Sequence, residues 1–72
     1  MNTNDQRLTM MERELLDYLV VHRGVVQKTV PIIGMEKKDT LRVYIHYLRQ
    51  KIGKHKILTV HGQGYVYIGD KA

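Results

Sequence analysis

The side chains best suited to chemistry fall in one run, DTLRVYIHYLRQKI, over residues 39–52. Arg42 and Arg49 stand seven apart, two turns along one helical face, with His46 between them and Gln50 adding an amide to the same front. Guanidinium groups so placed suit phosphate oxygens or the O6 and N7 acceptors of guanine, where a good bidentate pair contributes about 1–3 kcal/mol of discrimination. His46 can donate to a base or a phosphate. Bond-breaking chemistry has no such candidate. The chain lacks cysteine and serine, and no carboxylates pair in a context that suggests a pocket. The four histidines, His22, His46, His55 and His61, include no pair at the i, i+4 spacing of a helical zinc site, and there is no thiolate. The residues point to binding, with neither enzyme activity nor a metal or other cofactor.

The elements that must carry these groups follow from periodicity. Leu41, Ile45, Leu48 and Ile52 form an apolar stripe behind the cationic front, so 39–52 reads as an amphipathic helix, opened by Lys38 or Asp39 and closed by Gly53. Thr40, in its first turn, can join the helix-terminal amides in holding a phosphate, or be an ordinary helix-start residue. Tyr44 borders the apolar stripe and suits the core. Tyr47 is more exposed, free to pack on a thymine methyl, to reach a phosphate, or to turn inward. Lys54 and Lys56 flank the corner beyond the helix as further phosphate contacts. Two β-rich runs, 57–60 and 65–68, then enclose His61-Gly62-Gln63-Gly64, the signature of a hairpin. The glycines permit positive φ in the turn rather than forming a phosphate loop, because no strand–loop–helix context surrounds them. His61 and Gln63 are left at the tip as probes of backbone or minor groove, with Tyr65 as the packing anchor of the hairpin.

Upstream, Thr9 and Glu12 have the spacing of a capping box, and Met11, Leu15, Leu16, Leu19 and Val20 give a wide apolar face, predicting a helix over 10–22. Glu12 and Glu14 near its start and Arg23 near its end suit the helix dipole, and Gly24 is its stop. Val25-Val26 reads as a small strand or extended link. Thr29-Val30-Pro31 reads as a second helix start, giving about one turn over 30–33 closed by Gly34. Residues 35–38 read as a basic, polar linker. The order is three helices followed by a C-terminal hairpin in an α+β domain over 8–69, with a disordered lead at 1–7 and a tail at 70–72.

Seventy-two residues allow one small domain with a modest core. Without cysteines there is no disulfide, which fits a reducing cytoplasm, and neither a membrane span nor a signal peptide is evident in the sequence. The formal net charge is +5, unevenly distributed. Residues 37–56 hold seven lysines and arginines against Asp39 alone, a net of +6, whereas residues 1–24 sum to −1. Clustered charge of this kind favours a polyanionic partner, duplex nucleic acid foremost, over a merely solvated helix face.

The pattern as a whole resembles the winged-helix DNA-binding domain of OmpR/PhoB-type response regulators. The resemblance is carried by Leu8-Thr9-x-x-Glu12-x-x-Leu15-Leu16-x-x-Leu19 and Gly24-Val25-Val26, then by Thr40-Leu41-x-Val43-x-Ile45-x-x-Leu48-Arg49-x-Lys51-Ile52-Gly53 and Leu58-Thr59-Val60-x-Gly62-x-Gly64-Tyr65. It implies a small winged helix-turn-helix in which 39–52 is the recognition helix in the major groove and 57–68 the wing. It also implies that Arg49 occupies a DNA-contacting basic position and Val43 a groove-facing one. His46 and Tyr47 stand where many members have arginine, Tyr44 where histidine is common, Asp39 where some have arginine, and His61 where the wing is usually basic. These departures imply weaker phosphate attraction and a different base preference. The sequence also reads as lacking the family's N-terminal sheet and receiver domain, and as several residues short between Gln27 and Thr40, on the second helix and the polymerase-contacting loop. It therefore reads as a minimal, free-standing version of the kind a phage or other mobile element carries.

The function expected is sequence-preferring binding of double-stranded DNA by a cytoplasmic transcriptional regulator, as a homodimer or with cooperative neighbours. The alternative is a protein-interaction module gripping a host regulator or polymerase subunit through the same helix face. RNA fits less well, because the A-form major groove is too narrow for such a helix.

Overall fold

The computed structural model describes residues 8–69, so the expectations for 1–7 and 70–72 lie outside the described residues. Four elements follow in order: α1 (Met10–Val21), α2 (Lys38–Ile52), β1 (Ile57–Val60) and β2 (Gly64–Tyr67).

α1 begins with the capping box expected from sequence. The Glu12 amide donates to Thr9 Oγ1 at 3.2 Å, and the Thr9 amide donates to Glu12 Oε1 at 3.0 Å, so two helix-start donors are satisfied reciprocally. The helix ends at Val21, with His22 as its C-cap. Arg23 lies beyond the end, where its Nε donates to the Gly69 carbonyl at 2.5 Å, so it is no last-turn complement to the dipole. α2 buries Leu41, Ile45 and Leu48, leaves Ile52 half-buried, and closes on Gly53, whose φ of +107° favours glycine. β1 and β2 pair antiparallel, Ile57 with Tyr67 through Val60 with Gly64. The turn between them comprises residues 61–63, with the Gln63 amide donating to the Val60 carbonyl at 2.8 Å.

The second helix of the sequence reading is absent: the described residues contain two helices, not three. Residues 31–37 form bends and turns, with the Ile32 amide on the Val30 carbonyl and the Met35 amide on the Ile32 carbonyl, both at 2.8 Å. A single turn of β-branched residues closed by glycine cannot meet the cost of helix nucleation. What holds the segment instead is two buried anchors, Val30 and Met35. Met35, expected in a polar linker, is completely buried, and Gly34 at φ +87° turns the chain so that it can be. The extended link also differs by one residue from expectation. Its bridge falls on Gln27, whose amide and carbonyl bond Tyr65 at 2.6 and 3.0 Å, while the Gly24 amide donates to the Tyr67 carbonyl at 3.0 Å. β2 thus lies between β1 and the link.

The core joins α1 (Leu15, Leu16, Leu19), the link (Val30, Met35), α2 (Leu41, Ile45, Leu48) and the hairpin (Ile57, Tyr67). Together they hold the exposed side of α2 beside the hairpin. No helix among the described residues is long and apolar enough to cross a membrane.

Candidate nucleic-acid interface

α2 presents Arg42, Val43, His46, Tyr47 and Gln50 outward, because the same 3.6-residue period sends Leu41, Ile45 and Leu48 inward. Val43 and Tyr47 are each about half exposed, at 48% and 49%, which settles Tyr47 on the outer face, while Tyr44 packs against the core. His46 and Gln50, one turn apart, approach to 3.3 Å between Nε2 atoms, and the His46 and Tyr47 rings lie 5.8 Å apart. Thr40 is half-buried, its methyl 3.9 Å from the position a Cβ on Gly34 would take.

Arg49 behaves differently. Its Nε and Nη2 donate to the Ile57 carbonyl at 3.1 and 2.9 Å, and Nη2 also donates to Thr59 Oγ1 at 2.8 Å. Its guanidinium carbon lies 5.7 Å from the centre of the Tyr65 ring, within cation–π range. Lys51, counted by the sequence among the basic cluster, points to the other side of the molecule. Its Nζ meets Glu12 Oε1 at 2.6 Å and ties the end of α2 to the start of α1. Burial pushes the Glu12 carboxyl up, but the Lys51 ammonium and the Thr9 amide and hydroxyl outweigh it and hold the carboxyl below the ordinary glutamate value.

Two open depressions join α2 to the hairpin, and Thr59 lines both. One lies between the second half of α2 and β1, bounded by His46, Arg49, Gln50, Lys54 and Leu58. The other lies between the hairpin tip and the start of α2, bounded by Lys28, Lys38, Gly62 and Gln63. Neither is lined by a carboxylate, so the charged side chains that border the two depressions are all cationic. His61 is exposed at the tip, and so is Gln63. Lys28, Lys38 and Thr59 are not among the contact residues expected from the sequence. Lys28 lay in a segment whose charges cancel, and its place beside the tip depends on the long-range bridge from Gln27 to Tyr65.

Over residues 3–67 the sequence matches the family described as "Transcriptional regulatory protein, C terminal". The chain belongs to this family of OmpR/PhoB-type C-terminal DNA-binding domains. It is also similar to the transcriptional regulatory protein BasR of Escherichia coli (strain K12), 37% identical over 71 residues. That alignment covers 89% of this chain and 32% of BasR, so the chain spans about a third of that relative's length. No solved structure matches it significantly. The OmpR/PhoB-type family is one of DNA-binding transcription regulators, not of enzymes, and two helices with an antiparallel hairpin are consistent with its winged-helix architecture.

Proposed function

We propose that this domain binds double-stranded DNA with a sequence preference and serves a transcriptional regulator, with α2 in the major groove and the hairpin as the wing. The observation that carries the reading is the exposed face of α2, continuous with the hairpin tip through depressions free of carboxylates. In this reading Arg42, His46 and Gln50 meet base edges or phosphates, and Val43 and Tyr47 pack on thymine methyls. Thr40 and Lys54 hold backbone at either end of the helix, and His61 and Gln63 touch backbone or minor groove. One small domain has a limited footprint, so homodimers or cooperative neighbours on repeated sites supply the remaining specificity.

A second reading is favoured by Val43 and Tyr47, whose exposure gives the same face an apolar component suited to a transcription-machinery protein. Fluorescence anisotropy with a labelled mixed-sequence duplex, from about 50 to 200 mM salt, separates the two. DNA binding gives a log affinity that falls linearly with log salt, by roughly 0.9 per phosphate neutralised. Absence of binding at the lowest salt would turn the assignment to a protein partner.

A further inference from the structure

We propose that Arg49 acts as a positioning residue that fixes the wing to α2, rather than as a reader of DNA. The position of its acceptor follows from the strand geometry. Tyr65 directs both main-chain groups to Gln27, and Tyr67 directs its carbonyl to the Gly24 amide, so both residues point their hydrogen-bonding groups away from β1. In an antiparallel ladder their partners Thr59 and Ile57 must then point their own main-chain groups outward, to the edge of β1 that faces away from β2 and pairs with no strand among the described residues. The Ile57 carbonyl is therefore an open edge acceptor, and Arg49 closes it with two donors. The Thr59 hydroxyl takes a further bond and the Tyr65 ring lies against the cation, so three hairpin residues hold one guanidinium.

The covalent connection between α2 and β1 is a short exposed corner that starts at the positive-φ Gly53, with no buried side chain until Ile57. Such a corner does not itself fix the hairpin's angle to α2, which is left to the core packing of Ile57 and Tyr67 and to the contacts made by each strand. The link clamps β2 from one side, through Gln27 and Gly24, and Arg49 clamps β1 from the other. Both clamps add to the core packing of Ile57 and Tyr67 in setting the distance between the helix face and the hairpin tip. Lysine keeps the charge at this position but lacks the planar fork that can bond a carbonyl and a hydroxyl together.

The test uses Arg49→Lys, Arg49→Gln and Thr59→Val, first in the free protein and then with duplex DNA. In the free protein, hydrogen exchange of the Leu58 and Val60 amides is expected to accelerate in both Arg49 variants, and less in Thr59→Val, with the amides of α1 unchanged. Exchange equal to that of the parent protein in Arg49→Lys would overturn the clamp, and this readout needs no DNA. The consequence for binding rests on the proposed function. Both Arg49 variants are expected to lose about tenfold in affinity, typical of couplings within one network, with the salt slope retained. Gln63→Ala should weaken the parent but add nothing in the Arg49→Lys background. Near-parental affinity in Arg49→Lys, with the salt slope reduced by about 1 in Arg49→Gln, would make Arg49 a phosphate contact and overturn the proposal. Failure of the parent to bind any duplex would remove the proposed function while the exchange result still decides the clamp.

Discussion

Gly64 shows how one residue can determine whether this small fold closes. A Cβ added there would lie 2.3 Å from the Gln27 carbonyl oxygen and 2.8 Å from Lys28 Cα, and φ is already +139°. Gly64→Ala must break the bridge between link and hairpin, and is expected to destabilise the domain by about 2–3 kcal/mol in urea unfolding. Gly62→Ala has open space around it and carries only the positive-φ strain, so it should cost less. Glu12 makes a second prediction, through pH. Its carboxyl is held below the ordinary glutamate value in the fold, so its contribution is present above the unfolded pKa of ~4.3 and is lost as pH falls through the folded one. Thermal melts from pH 7 to 3 should show the parent losing stability on that limb, with Glu12→Gln starting lower and falling less steeply. The capping half of Glu12's role was legible at i, i+3 spacing. The Lys51 half, 39 residues away, was not, because an ion pair between elements depends on tertiary placement.

Among the elements, those with strong local signals match expectation closely. α1 had both its cap and its stripe, α2 had four apolar residues at helical spacing, and the hairpin had β-branched runs around glycines. The segment between α1 and α2 had neither, since Pro31 and Gly34 are compatible with a helix turn and with the open turns observed. What decides between them is the burial of Val30 and Met35, and burial is a property of the assembled core. Met35→Ala should therefore cost about 2–5 kcal/mol, as for a large residue truncated in a packed interior. Ile33→Ser, at a position 85% exposed, should change stability by less than about 0.5 kcal/mol. Comparable effects of the two substitutions would contradict the anchor account. The candidate site divides in the same way. The outward face of α2 was readable from periodicity, whereas the commitment of Arg49 to β1 could not be read, because it depends on which carbonyl the hairpin register leaves open.

For the molecule as a whole, the charge surplus of residues 37–56 is separated by the fold into distinct jobs. Lys51 meets Glu12 and Arg49 meets the hairpin, while Arg42, Lys38 and Lys54 face the depressions or the solvent beside them. In the DNA-binding account, Lys28→Ala and Lys38→Ala should each weaken binding to all duplexes alike and lower the salt slope by about 1, whereas Gln50→Ala should change base preference. The most direct measurement is an amide-shift titration of the folded domain with a mixed-sequence duplex at two salt concentrations. Salt-sensitive shifts concentrated in residues 38–54 and 59–64 are the predicted result. An unperturbed spectrum at low salt, or shifts confined to α1, would contradict the central claim that α2 and the hairpin form a DNA-binding surface.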